Sequence, residues 1–534
     1  MKLSNILFFL ISILLMALPA GYEPDHFAKI LFVTALFTSI PICMLMVVLT
    51  RKSIAWKRAI LVILFILFCF ETYLFIRFKT RFNANILTLI LQTNQREIGE
   101  FFSVYIHSFS TVLYLIVFTA GIYGIWRVTK LSGTIEWFRK KIVIIALGLL
   151  TLAGLIVRFY PYFPLPVGNN TVRQLLFTVE FVRDTHQEVE KMESLLNQIK
   201  VTKPASDQAP VIVLVIGESY NKYHSSLYGY HLPTTPCLEK ELNDSLLLCF
   251  SHAKSPTNGT SEAMRYIFTL KGCGIQPTSD KRPFILVPAV FRKANYQVAY
   301  FDNQYTRSSG GVFDYSCGYF LNPTNINSSC FDFRNNETKT FDGDFISYYK
   351  SKLLKQPHSL NIIHLMGQHF DAANRFPDSF QHFSQKDYKR TDLSNSERQQ
   401  IADYDNATFY NDQVMKTIFD CFRNVNAVII YLSDHGEQIY DDEHHYYGRT
   451  FGSVKEEVTI KAVYEVPFMV WCSPLFKEQN SNLYEKLRQR VDLPLCIADL
   501  GYLLFDLADI DFNYNVKSKS ILDDSYQPHV VKYD

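Results

Sequence analysis

Charge is scarce in this 534-residue chain: Asp, Glu, Lys and Arg make up 19% of it, and 53 basic residues nearly cancel 51 acidic ones. A formal net charge of +2 offers no electrostatic footprint for a polyanion, so nucleic acid is excluded as a partner. None of the ten cysteines stands in a C-x-x-C pair, which argues against a structural zinc knuckle. Internal repeats and low-complexity tracts are missing too. The shortage of charge is uneven: the first third is almost continuously apolar and the rest has ordinary soluble composition. That split excludes a disordered chain, a fibrous chain and a purely soluble enzyme.

Crossing about 30 Å of hydrocarbon takes about 20 apolar residues in a helix. Five segments qualify: Ile6 to Ala20, Phe27 to Leu49, Ala59 to Ile76, Phe109 to Trp126, and Ile142 to Tyr160. Each must satisfy its own backbone in lipid, so each is predicted to be a helix. Arg51, Lys52, Lys57 and Arg58 lie in one short loop, and Arg127, Lys130, Arg139, Lys140 and Lys141 in another. The positive-inside rule makes these loops cytoplasmic and places everything after about Tyr160 outside. Arg77, Lys79 and Arg81 run against the rule; Phe82 to Ser108 reads as an interfacial helix whose basic lead meets lipid phosphates. Glu71, inside the third span, reads equally well as a functional carboxylate or as a paired one near a helix end.

The predicted organisation is a five-helix transmembrane domain (1–160), a connector with a polar helix around Leu175 to Lys200 (161–210), and a globular domain (211–534). In the last, short apolar runs appear at Val211 to Ile216, Gln297 to Phe301, Leu360 to Leu365, Ala427 to Leu432 and Phe468 to Trp471. Runs with so few polar interruptions suit strands buried on both faces, the mark of a parallel sheet. Helical segments at Ser261 to Leu270, Val287 to Asn295 and Asn406 to Arg423 separate them, predicting an α/β/α sandwich. The eight cysteines of this part permit disulfides, with Cys249/Cys273 and Cys317/Cys330 nearest in sequence.

Chemistry in such folds gathers at the carboxyl ends of the strands. The runs end in Gly217-Glu218-Ser219, Asp302-Asn303-Gln304, His364 to His369, and Ser433-Asp434-His435-Gly436-Glu437. Four convergent polar ends point to a metal site. Glu218, Asp434 and His435 supply two hard oxygens and a borderline nitrogen, a set that suits zinc. Three protein ligands leave a position open for a reacting hydroxyl, whose alkoxide a cation would stabilise. The segment Ser251 to Ser261 supplies such hydroxyls just before a helix. Thr260 would head that helix, where the dipole favours an anion; an N-cap role is the plainer reading of Thr260 or Ser261.

With those residues in view, the chain resembles the membrane phosphoethanolamine transferases of Gram-negative envelopes, in the alkaline phosphatase and sulfatase superfamily. The resemblance rests on Val215-Ile-Gly-Glu-Ser-Tyr220, Tyr228-Gly-Tyr-His-Leu-Pro-Thr-Thr-Pro236, Ser433-Asp-His-Gly-Glu437, Tyr404 to Asp412, and Val466-Pro-Phe-Met-Val-Trp471. It implies that Glu218, Asp434, His435 and the nucleophile Thr260 hold one tight Zn2+, a second with substrate being left open. Matching the family's Phe-Ser start at Phe250 without a gap gives Thr260, with Thr257 the alternative. It also implies that His369 meets the phosphate, and that the family's second histidine falls on Tyr447, or on His444 or His445 with a small shift; Asn303 is a further expected donor. The donor would be phosphatidylethanolamine and the acceptor a lipopolysaccharide core, lipid A or glycan, at the periplasmic face of the inner membrane. The missing cysteines around the nucleophile and the Tyr-x-Lys-Tyr-His-Ser-Ser-Leu-Tyr-Gly-Tyr stretch look more like the core- or glucan-modifying branch than the lipid A branch. The rivals are a glycerol-phosphate transferase of the lipoteichoic acid synthase type and a non-catalytic envelope sensor. A true sulfatase is disfavoured, because Cys472-Ser-Pro-Leu-Phe476 lacks the arginine of that family's Cys-x-Pro-x-Arg signal.

Overall fold

A computed structural model describes residues 3–19, 39–40, 42–50, 53–78, 82, 109–131, 183–184, 186–203, 209–270, 284–305, 318–441, 446–449 and 457–528. It divides into two compact units, Met1–Asp184 and Thr185–Asp534.

Among the described residues, the first unit holds the long helices α1 (Leu3–Ala17), α2 (Ile54–Phe78) and α3 (Phe109–Thr129). Their positions match the first, third and fourth predicted spans. Residues 39–40 and 42–50, in the second, are also helical, whereas the fifth span and the expected interfacial helix beyond Phe82 lie outside the described residues. Within α2, Ile54–Ile76 is long and apolar enough to cross a membrane. Apolar side chains stay exposed on this unit, including Trp56, Ile63, Leu115, Ile116 and Val117, where a water-facing helix would carry polar groups. Small residues let such helices approach: a β-carbon on Gly121 would collide with the ring of Phe65, which stacks on Phe118 at 5.6 Å. Glu71 is buried and accepts the backbone N–H of Phe82 at 3.1 Å, so its carboxylate ties down the chain beyond the helix.

The second unit is built on a seven-stranded sheet: β1 (Val211–Gly217), β2 (Leu247–Cys249), β3 (Gln297–Asp302), β4 (Phe333–Arg334), β5 (Ser359–His364), β6 (Ala427–Ser433) and β7 (Phe468–Cys472). Their spatial order is β2-β7-β6-β1-β5-β3-β4. All five predicted strands are present, and β1, β5 and β6 are buried along their whole length, as their uninterrupted apolar runs require.

The sheet is mixed, which corrects the parallel expectation. β6, β1, β5, β3 and β4 run parallel, but β7 pairs antiparallel with both β6 and β2. An apolar run records burial on two faces and is silent about direction. Antiparallel edge strands on a largely parallel sheet are common. β2 and β4, at two or three residues each, are too short for a periodic signal.

Helices α4 (Thr260–Phe268) and α5 (Val287–Lys293) match the expected segments, and Pro288 sits in the first turn of α5. α6 (Asn395–Phe422) starts well before the predicted Asn406, at a capping box in which Ser394 and Glu397 satisfy each other's backbone N–H. In the connector, 186–196 is helical, and Arg265 of α4 reaches Glu188 on it at 2.8 Å. Cys273 and Cys317 lie outside the described residues.

Candidate metal centre and nucleophile

Parallel pairing of β1 with both β5 and β6 brings the carboxyl ends of the three strands side by side, Ile216 opposite His364 and Leu432, Gly217 opposite Ser433. The next residues leave the sheet together. Glu218 follows β1 and Asp434-His435 follow β6, all three fully buried, with a donor atom from each lying within 4.8 Å of the others. His435 Nε2 stands 3.1 Å from Glu218 Oε1 and 3.2 Å from Asp434 Oδ2.

α4 delivers the hydroxyl. Thr260 is its first residue, placed by the extended Gly259, and Ala263, Met264, Ile267 and Phe268, which follow it along the same side of the helix, are buried. Its Oγ1 lies 3.2 and 3.1 Å from the two Glu218 oxygens and 3.2 Å from His435 Nε2. Thr257 points elsewhere, donating to Glu262 Oε2 at 3.3 Å and accepting from Gly259 N–H.

The turn after β1 is strained, with Ser219 at φ 56°. Asp434 Oδ1 accepts its N–H at 3.2 Å, and the Tyr404 hydroxyl donates to its carbonyl at 2.6 Å while accepting Asn221 N–H. Gln304 donates to Glu218 Oε2 at 3.1 Å and to the Leu365 carbonyl at 2.8 Å, fixing the carboxylate from the β3 side. Behind it, His364 and Asp302 form a buried pair at 3.1 Å.

Two carboxylates at one buried point need positive charge. Burial and the charge of Glu218 push Asp434 up to about 7. Burial acts on Glu218 in the same sense, but His435, His369 and Arg449 overcome it and hold that carboxyl well below the ordinary range. Burial disfavours charge on His435, yet Asp434 and Glu218 raise its pKa. The donor chemistry fits a divalent cation. His435 Nδ1 faces the Gly436 carbonyl at 2.8 Å, which favours a proton there and a bare lone pair on Nε2. Asp434 Oδ2 is buried and takes no hydrogen bond among the described residues. Glu218, Asp434 and His435 thus form a group that could hold a metal ion, with the Thr260 hydroxyl beside it.

The other expected residues are placed as follows. His369, beyond β5, is near enough for its charge to act on Glu218. Asn303 is committed to a loop, donating to Asp342 Oδ1 at 2.8 Å and accepting Lys339 N–H at 2.7 Å; its neighbour Gln304 reaches the cluster instead. Tyr447 pairs with Ile439 in a two-residue hairpin and packs its ring on Tyr440, while His444 and His445 lie outside the described residues. Sequence reasoning missed Gln304 and Arg449. Gln304 stands in the polar Asp302-Asn303-Gln304 strand end, and only side-chain direction separates it from Asn303. Arg449 follows the Tyr446-Tyr447-Gly448 hairpin end with no motif of its own, and its guanidinium lies 2.8 Å from His435 Nε2.

A largely parallel sheet gathering a buried Glu-Asp-His set and a helix-heading threonine at its carboxyl edge defines a sulfatase-type α/β domain. The sulfatase family profile matches residues 210–510, and that of phosphoethanolamine transferase EptA/EptB matches residues 37–177. The chain belongs to the sulfatase family, among its membrane phosphoethanolamine transferases. It is 25% identical over 490 residues to phosphoethanolamine transferase EptC of Escherichia coli K12, covering 85% of this chain and 80% of that one. The structure of the C-terminal periplasmic domain of E. coli EptC in complex with zinc matches at 25% identity and a TM-score of 0.50, over 62% of this chain and 92% of that one. The integral membrane lipooligosaccharide phosphoethanolamine transferase A (EptA) of Neisseria meningitidis shares the fold over 97% of both chains, with a TM-score of 0.64 at 18% identity.

Proposed function

We propose that this protein moves phosphoethanolamine from phosphatidylethanolamine to a lipopolysaccharide core, lipid A or another envelope glycan through a phosphoethanolamine-threonine at Thr260. The observation that carries this reading is the Thr260 hydroxyl shared by Glu218 and His435 within one buried cluster. The sulfatase-type domain joined to a phosphoethanolamine transferase N-terminal domain supports it. The chain would cross the inner membrane five times, with 1–160 as the membrane domain, 161–210 as the connector and 211–534 in the periplasm. One zinc ion, held by Glu218, Thr260, Asp434 and His435, would acidify the threonine hydroxyl and offset phosphoryl charge when bound.

The protein's own groups do the rest. Glu218 accepts the Oγ1 hydrogen bond of Thr260 and aims the oxygen. A bond forms from Oγ1 to phosphorus as the bond from phosphorus to the diacylglycerol oxygen breaks, and the proton lost by Thr260 is balanced by the one diacylglycerol gains. In the second step the acceptor oxygen displaces Thr260, which recovers a proton as the acceptor gives one up. His369, with Tyr447 or His445, serves the phosphoryl and headgroup side. Replacing Thr260 by alanine should abolish transfer to an acceptor while zinc content and melting temperature stay near wild type. Wild-type protein incubated with phosphatidylethanolamine should gain one phosphoethanolamine mass on the Thr260 peptide. Transfer surviving in T260A sinks the proposal.

A further inference from the structure

We propose that Arg449 grips the phosphoryl oxygens of the donor while Thr260 attacks, which makes it a catalytic residue of this chain. The inference rests on the transfer reaction proposed above.

Its placement is built by the fold. The two-residue ladder of Gln438–Ile439 with Tyr447–Gly448 turns the chain back over the end of β6. Gly448 then takes φ +119°, a conformation that side chains resist, so the next residue re-enters the cluster. The Tyr446 hydroxyl donates to the Arg449 carbonyl at 2.7 Å and pins that return.

The guanidinium meets both the end that follows β6 and the loop before α4. Its NH1 lies 2.8 Å from His435 Nε2 and donates to the Asn258 carbonyl at 3.1 Å, in the loop that leads into α4. Its Nε stands 3.7 Å from Glu437 Oε2, an oxygen that is otherwise buried without a hydrogen bond among the described residues. His435 Nε2 is thus a common neighbour of the Arg449 guanidinium and of Thr260 Oγ1. The side chain is only 14% exposed.

A phosphorus within reach of Thr260 Oγ1 must carry its charged oxygens into that space. A guanidinium offers them a planar pair of donors with permanent charge, whereas an ammonium acts as a point charge. The Glu437 and Asn258 contacts would hold the guanidinium at the site, leaving NH1 free to turn from His435 Nε2 toward those oxygens were that lone pair given to a cation. The chemistry recognised is a phosphoryl anion, whether on a lipid headgroup or free.

Full-length R449A and R449K, in detergent and in phosphatidylethanolamine vesicles, test this. Zinc per protein should match wild type by elemental analysis. R449A should lower kcat for transfer from the vesicle lipid by about 100-fold, the usual effect of losing one transition-state donor, with R449K intermediate. Inorganic phosphate, used as a competitor, should bind R449A about ten-fold more weakly. Wild-type kcat in R449A overturns the proposal, even if phosphate binding falls, and so does zinc loss in both variants, which would make Arg449 part of the metal scaffold. Wild-type protein that never forms the Thr260 adduct would instead sink the transfer reading itself.

Discussion

Gly367 shows how narrowly one residue constrains the site. It holds φ +51°, and a β-carbon there would stand 2.8 Å from the backbone nitrogen and 2.9 Å from the carbonyl oxygen of Glu218. Both atoms belong to the main chain of a buried strand end, so neither can swing away. The same Glu218 carbonyl accepts the Gln368 N–H at 3.0 Å, locking the two strand ends together. We expect Gly367→Ala to cost about 2 kcal/mol in urea denaturation, the scale of a strained backbone position, and to reduce bound zinc. Zinc content and stability equal to wild type would show that Glu218 does not depend on this packing. Asn303 and Gln304 make the complementary point: they are adjacent and chemically alike, yet one closes a loop and the other reaches the carboxylate.

α6 acts as a clasp, and this gives the Tyr404 to Asp412 motif a physical meaning. Tyr404 holds the strained turn after Glu218, and Asn406 accepts the N–H groups of His382 and Phe383. Asp412 accepts from Cys237 and Leu238, the first N–H groups of the helix Pro236–Asn243. Asp405 pairs with His224 at 2.6 Å, and Asp441 faces the other ring nitrogen at 3.4 Å. Burial alone would keep His224 neutral, but the two carboxylates overcome it and raise its pKa to about 10. A pKa raised above the unfolded value of about 6.5 gives stability that is complete below that pH and lost as pH climbs through 10. The melting-temperature gap between wild type and His224→Gln should therefore be widest at pH 6 and shrink toward pH 10. A gap that grows with pH would mean that the imidazole is neutral in the folded protein. The start of α6 was hard to place from sequence because Asn395 to Gln400 are all polar and at most half-buried; only the Ser394–Glu397 capping box marks it.

At the scale of the whole molecule, loop charge predicts the arrangement across the membrane proposed above. We expect a cysteine placed at Ser53, between Arg51 and Lys57, to resist membrane-impermeant thiol reagents in intact spheroplasts, and one at Ser525 to react. Labelling at both positions, or with the pattern reversed, would exclude an external catalytic domain. Much was legible without coordinates: the helices at the first, third and fourth apolar segments, the strand cores, and the grouping of Glu218, Asp434 and His435, because burial writes long runs into a sequence and strand ends follow them. Direction was not legible, since β7 reads the same whether it runs parallel or antiparallel to β6. Convergence was legible in part: the polar strand ends read as converging, and the resemblance points to Thr260 with Thr257 as the alternative. That Gln304 joins Glu218 and that Arg449 returns over His435 depend on side-chain direction and on loops closed by distant partners. Local composition fixes which segments are buried. Only the assembled packing decides which polar atoms end up within a bond length or two of each other.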